Sequence, residues 1–347
     1  MPGPVTIRDV ARDAGVSVTT VSHILNNTPH RPVAEATRRK VLEAVERLDF
    51  HANLNARRLA QESSRLYGLI LSEIANPFFA DAIRAFQAAV RREGCDLLLA
   101  STEYDTQLAE IATRKMIENK VQGVTILTSK FDERLVTALR ERRIPVVRLG
   151  ISAPRPGVRP MLIDSSAGLG QALDHLASLG HREIAFIGGP RDVPSAEIIR
   201  NQLEAAVAGR GLHLSCRLEC NYRTDGGWAA VRSLICQQPS ASAILCGNDL
   251  IALGAISALE QMGIDVPSQM SVVGHDDLLI ARLARPPLTT IRVSSEEIGR
   301  KAFESLAELV RNPDSEGEPI PIPGRLVIRK STAPAPVETT SPPSLPD

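Results

Sequence analysis

The chain of 347 residues carries five cysteines, seven histidines and forty acidic residues, raw material for metal binding or acid–base chemistry. None of it is spaced for that work. Cys95, Cys216, Cys220, Cys236 and Cys246 are odd in number and scattered, which is no disulfide framework. Cys216 and Cys220 share a short segment, but no histidine pair stands at finger-like spacing, so buried thiols and no metal site are expected. No Walker loop, GxSxG elbow or HExxH pair occurs, so neither an enzyme nor a cofactor is expected. The IGGP run at 187–190 is a lone glycine pair after an apolar stretch, too little for a dinucleotide site. What remains is modest: Val18, Thr19 and His23 share one face of a short helical stretch. A valine can meet a thymine methyl, a threonine can donate or accept, and a histidine can bond a purine edge. Thr19 and His23 would serve as readily as the polar cover of a surface helix.

Their position depends on the elements around them. Residues 5–50 read as three short helices. Thr6 can cap a helix from Ile7 to Ala14, with Ile7, Val10, Ala11 and Ala14 on one side. Gly15 supplies a sharp turn, where a Cβ would be strained. Ser17 caps a second helix through Asn26, turning Val21, Ile24 and Leu25 inward. A polar, proline-marked loop leads to a third helix, Glu35 to Leu48, with Val41, Leu42, Val45 and Leu48 apolar. Residues 51–65 are polar, although ANLNARRLA can form about two helical turns capped by Asn53, marginal without a surface to form against. The net charge of the chain is zero, but residues 1–65 hold ten basic against seven acidic side chains, a mild excess that permits phosphate contact.

From Leu66 onward, apolar runs alternate with helical stretches. YGLILSEI, DLLLAS, GVTILTS and PVVRLG form one series of strands, and PMLID, EIAFIGG, SAILCGN and MSVVGHDD a second. Continuous apolar strands separated by helices imply α/β architecture: parallel sheets covered on both faces, in two doubly wound subdomains with a ligand cleft at the strands' carboxyl ends. GRLVIRKSTAPAP adds a strand, and a Pro/Ser-rich tail at 334–347 is expected to be disordered. No apolar run reaches eighteen residues, so no membrane partner is expected. Charged residues from position eight leave no room for a secretory signal, which favours a cytoplasmic location.

Seven blocks occur in order between residue 5 and about 332: TIRDVARDAGVSVTTVSHILNN, NPFF, LGHREIAFIGG, GNDLIALGAISAL, VPSQMSVVGHDD, RPPLTTI and LVIRKST. In these the chain resembles the lactose-repressor/galactose-repressor family of transcription regulators. The resemblance implies a helix-turn-helix head (1–50), a hinge (51–65) and a periplasmic-binding-protein-like effector and dimerisation domain (66–333). Its subdomains would take 66–163 with 292–320, and 164–291 with 321–333. It implies double-stranded DNA carrying an inverted-repeat operator as partner, a homodimer, and a small sugar-like effector whose binding reorients the lobes. Val18, Thr19 and His23 would then meet base edges, with Ser17 opening their helix and Thr6, Ser22 and Asn26 on phosphates. In the hinge, Leu59 would wedge between base steps, Ala56 packing beside it and Arg57 near the groove wall. Ala52 stands where the family usually has proline.

The effector site implied by the resemblance takes Asn76, Phe78 and Phe79 after the first strand, Asp105 after the second and Arg148 on the fourth. Ser195, Tyr222, Asn248 and Asp276 come from the second subdomain. Asp276 and Asn248 would fix ligand hydroxyls, Asp277 would cap the following helix, and Trp228 belongs to the core. An arginine of the family's site falls at Ile199 by count from Gly211, with Arg200 beside it and Gln202 and Leu203 replacing the usual Gly-Phe. Either Arg200 is shifted into place or the cleft lacks this cation, in which case the effector is altered or lost. A periplasmic-type solute-binding protein shares the two lobes, but it would lack the N-terminal head.

Overall fold

In the computed structural model, which describes residues 5–25, 33–50, 65–150, 155–237 and 240–336, the chain divides into the units Met1–Ser64 and Arg65–Asp347. The described part of the first unit is helical: α1 (Ile7–Ala14), α2 (Val18–Leu25) and α3 (Glu35–Arg47). Thr6 opens α1, its backbone N–H and hydroxyl both donating to the Asp9 carboxylate, at 2.9 and 2.6 Å. Gly15 ends α1 at φ 67°, a conformation that favours glycine. Ser17 Oγ then accepts from the Thr20 backbone N–H at 3.0 Å, fixing the start of α2. Val10, Ala11, Val21, Ile24, Val41 and Ala44 form the core of this unit. Along α3 the inward row is Val41, Ala44, Val45 and Leu48, at helical spacing. Leu42, expected in the core, lies a little over a quarter turn away and is 46% exposed.

The second unit is built from two six-stranded sheets. The first begins with β1 (Leu66–Leu71), β2 (Asp96–Ser101), β3 (Val124–Leu127), β4 (Val146–Leu149) and β5 (Val158–Asp164), interleaved with α4 (Phe78–Arg92), α5 (Thr106–Glu118) and α6 (Glu133–Glu141). The second holds β6 (Glu183–Gly188), β7 (His213–Glu219), β8 (Ala243–Cys246), β9 (Ser271–Asp276) and β10 (Thr289–Arg292). Its helices are α7 (Ser166–Ser178), α8 (Pro194–Val207), α9 (Thr224–Cys236), α10 (Asp249–Gln261) and the short α11 (Leu279–Leu283). After α12 (Ser295–Arg311), β11 (Ile320–Pro323) joins the first sheet and β12 (Arg325–Val327) the second. The orders are β2-β1-β3-β4-β5-β11 and β7-β6-β8-β9-β10-β12, parallel except for β12. Every residue of β1 and of β8 is buried, as strands covered on both faces require.

Tyr67 and Phe86 meet Phe303 of α12 edge-on, with centroids at 5.1 and 5.4 Å, which seats α12 on the first lobe. The chain thus passes between lobes three times: at Ser165, between Arg292 and Ser295, and at Gly324. The last passage follows Pro323 rather than the expected 320, because β11 is hydrogen-bonded to β5 along its whole length. Gly324 N–H donates to Asp164 O at 2.8 Å, tying the first and third passages together. Ala335 N–H donates to Leu179 O at 2.8 Å and Ala333 O bonds His181, so the stretch expected to be disordered from 334 is held this far. Residues 337–347 lie outside the described residues. No described helix is long and apolar enough to cross a membrane.

Candidate functional site

A cleft of about 340 Å³ lies between the lobes, lined from both sheets. Nearly all of its groups follow the carboxyl ends of strands: Ser72 and Asn76 after β1, Tyr104 after β2, Thr128 and Ser129 after β3, Gly150 after β4, Tyr222 after β7 and Asn248 after β8. His275 and Asp276 end β9 itself, and the sheets reverse their winding between β1 and β3 and between β6 and β8. One wall is aromatic, with Phe78 and Phe79 in edge contact at 5.3 Å and Tyr104 and Tyr222 stacked across the lobes at 6.2 Å. Tyr222 can sit there because of the IGGP run: a Cβ on Gly189 would come within 2.1 Å of its ring. Burial holds both phenols above the ordinary tyrosine pKa, so they stay protonated and able to donate.

Of the expected effector residues, Asn76, Phe78, Phe79, Ser195, Tyr222, Asn248 and Asp276 line the cleft. Asn248 is already engaged there. Its Nδ2 donates to Tyr222 O at 3.0 Å and its Oδ1 accepts from Ile251 N–H at 2.8 Å, so it holds two loops in place and caps α10. Three expected residues do not reach the cleft. Asp105 caps α5, accepting from the N–H groups of Gln107 and Leu108 at 2.6 and 3.0 Å, while the neighbouring Tyr104, at φ 57°, takes the cleft position. Arg148 donates to Glu133 at the start of α6. Arg200 lies 3.6 Å from Glu219, and Ile198 and Ile199 form the wall in its place.

Thr128, Ser129, Asp164, Gln202 and His275 also line the cleft, and strand patterning gave no sign of them. His275 was legible only as the neighbour of Asp276. Its ring bonds Ser165 Oγ at 2.7 Å through Nε2 and Asp276 Oδ1 at 3.1 Å through Nδ1. Asp276 takes φ 120° and Asp277 φ 63°, backbone conformations costing about 1–3 kcal/mol each that persist only where surroundings impose them. Burial raises the pKa of Asp276, opposed only in part by the His275 hydrogen bond. Burial likewise raises Asp249, close enough to feel the charge of Asp276; it accepts from Leu278 N–H at 2.7 Å and Thr290 Oγ1 at 2.5 Å. Asp277 is not the helix cap expected of it: it receives Arg282, Arg292 and Arg329, and they outweigh its burial and lower its pKa. Trp228 packs against the core while remaining half-buried, its indole N–H donating to Gln261 at 3.1 Å and its ring lying under Arg232.

At the mouth, the lobes touch through polar pairs. Ser129 and Ser195 hydroxyls meet at 3.1 Å, Lys130 reaches Asp192 at 2.5 Å, and Arg223 donates to Glu73.

In the N-terminal unit, Thr6, Ser17, Val18 and Thr19 are exposed, and Ser22 and His23 are half-buried. Thr19 lies across α2 from the buried Val21 and Ile24, and Val18, at the first turn, is 41% exposed. The hydroxyls of Thr6 and Ser17 are occupied by Asp9 and Thr20, so these two residues frame the helices. Asn26, Ala56, Arg57 and Leu59 lie outside the described residues.

With this geometry in view, known proteins are informative. A family model described as bacterial regulatory proteins, lacI family, matches residues 6–53, and a periplasmic binding protein-like domain matches 173–332. The HTH-type transcriptional repressor PurR of Aliivibrio fischeri (strain MJ11) is 33% identical over 332 residues, 94% of this chain and 98% of the relative. Among solved structures, a lac repressor dimer bound to operator and the anti-inducer ONPF matches with TM-score 0.84 at 27% identity, covering 95% of this chain and 100% of that one. A complex of the transcriptional regulator CelR with cellobiose matches with TM-score 0.70 at 28% identity, covering 94% and 99%. Head, lobes and near-full-length likeness agree: the chain belongs to the lacI family of bacterial regulatory proteins.

Proposed function

We propose that this protein represses transcription by gripping an inverted-repeat DNA operator as a homodimer, and that a small sugar-like effector in the interlobe cleft controls the grip. The observation that carries this reading is the start of α2. A left-handed glycine turn and a serine cap present Val18 and Thr19 to solvent over a buried core, the arrangement by which a second helix enters the major groove. Val18, Thr19 and His23 read base edges, and Ser22 and Asn26 hold phosphates with Thr6 and Ser17 beside them. Ala56, Arg57 and Leu59 serve as the minor-groove hinge, Leu59 as its wedge. The division into head (1–50), hinge (51–65) and sensor (66–333) follows from these roles, and the protein acts in the cytoplasm.

Two heads on a near-palindrome require two chains. A face suited to a second copy is available on α11, where Leu279 and Leu283 are 68% and 72% exposed, with exposed Ile280 and Ile328 also on the second lobe. In the cleft, Asp276 accepts from ligand hydroxyls while the aromatic wall covers the ligand's apolar face. The test is enrichment of bound sequences from a random DNA pool by the full-length protein. Recovery of an inverted repeat is expected. Recovery of no sequence above background, with and without a metabolite extract, sinks the proposal.

A further inference from the structure

The cleft offers an unusual balance of charge. Among the described residues none of its lining groups is a lysine or arginine, and its carboxylates are Asp164 and Asp276. Of the cations outside the lining, Arg148 pairs with Glu133, Arg223 with Glu73 and Lys130 with Asp192, while Arg200, 3.6 Å from Glu219, is close enough for its charge to act on Tyr222. His275 stands behind Asp276 with both ring nitrogens committed, to Ser165 and to Asp276.

The hydrogen-bonding groups show the same imbalance. Thr128 Oγ1 and Gln202 Oε1 line the cleft, are buried, and have no partner. Thr128 is 1% exposed, so water does not satisfy its hydroxyl from outside. Gln202 reaches Asp164 through Nε2 at 3.5 Å, which leaves its carbonyl oxygen turned away and free to accept. Asp276 accepts from His275 on Oδ1 alone. A buried acceptor without a donor is costly, so Gln202 Oε1 and the second Asp276 oxygen call for donors on whatever fills the cleft, while the Thr128 hydroxyl can donate or accept.

We infer that the effector carries no negative charge and presents several hydrogen-bond donors, hydroxyls or a protonated amine, beside one flat apolar face. This rests on reading the cleft as an effector site and narrows it. A phosphate or carboxylate brought into this space would lie near the Asp276 carboxylate, shed its water, and find no lysine or arginine in the lining to replace it. A donor-rich ligand instead satisfies acceptors such as Asp276 and Gln202, while its apolar face covers Phe78, Phe79 and the tyrosine pair. The volume suits a mono- or disaccharide or a nucleoside.

The test is a matched series on the full-length protein by thermal shift and calorimetry. Glucose, ribose and adenosine serve as parents, glucose 6-phosphate, ribose 5-phosphate and adenosine monophosphate as phosphates, glucuronate as carboxylate and glucosamine as amine. At least one parent, or the amine, is expected to bind, with its phosphate or carboxylate form about a hundredfold weaker. The variant Asp276→Asn, checked for an unchanged fold by its ligand-free melt, is expected to bring parent and phosphate within about tenfold of each other. A phosphate or carboxylate that binds as tightly as its parent overturns the charge assignment and leaves the effector reading standing. Silence from every compound overturns both, and recovery of an inverted repeat from the DNA pool then shows that the DNA reading survives alone.

Discussion

The head and the lobes place the groups proposed to meet their partners in opposite surroundings. In the head, a core of six buried residues holds Val18 and Thr19 out in water, with little to fix them beyond the Ser17 cap. In the lobes, Asp276 is enclosed, held by strained backbone and by His275. The difference follows from the partner. A duplex brings its own rigid surface and desolvates the side chains that meet it, so exposed groups suffice. A small molecule brings no scaffold, so the protein must fix the positions of its acceptors beforehand.

Four measurements can break or sharpen that contrast, taken from the largest expected effect to the smallest. Ile24→Ala empties part of the small head core and is expected to cost about 3 kcal/mol, most of what so small a unit possesses. Operator retention in a gel shift should collapse while the main melting transition of the lobes stays in place; a fall in both together would show that the head has no stability of its own. Leu59→Ala, in the proposed hinge, is expected to weaken operator binding about thirtyfold and to reduce DNA bending, leaving the calorimetric response to effector intact. Unchanged bending and affinity would remove the wedge role. His23→Ala should cost about 1 kcal/mol and relax preference at one base pair of each half-site, read by competition among single-base operator variants. Equal loss on every variant would mark His23 as a phosphate contact instead.

The smallest effect belongs to the lobes. Burial, reinforced by the charge of Asp276, raises Asp249 from 3.8 to about 8, so the folded lobe favours its protonated form. That contribution is complete below 3.8 and is lost as pH climbs toward about 8. Asp249→Asn keeps an acceptor for Leu278 N–H and removes the titration. It should flatten the fall of the lobes' melting temperature between pH 5 and pH 8 by about 2 °C. An identical slope in both proteins would assign the pH response elsewhere.

How far the sequence reached can be judged from particular residues. Thr6, Gly15 and Ser17 announced the head because caps and turns act locally, through hydrogen bonds within three or four positions. The buried strands β1 and β8 were legible as unbroken apolar runs. β7 was not, because an edge strand alternates exposed and half-buried residues and His213–Glu219 carries no such run. The seventeen-residue helix α12 also had no counterpart among the elements read from sequence, although its buried row follows helical spacing. In the cleft, residues next to strand ends were found, whereas Asp105, Arg148 and Arg200 turned elsewhere. A residue's place beside a strand end does not fix where its side chain points; the Asp105 cap, the left-handed Tyr104 and the pull of Glu133 and Glu219 decided that. Asp277 shows the same limit, since its three arginines come from three separate stretches of chain.

The three passages between the lobes have a mechanical consequence. A single strand joining two bodies is a swivel, permitting twist and slide as well as bending. Three strands, two of them clamped by the bond from Gly324 to Asp164, suppress those other motions and leave something close to a door on its jamb. Because Ser165 sits on that jamb and bonds the histidine behind Asp276, whatever engages the aspartate pulls directly on the pivot. On the proposed reading of the cleft, a ligand's many contacts would thereby reduce to one coordinate, the angle of opening.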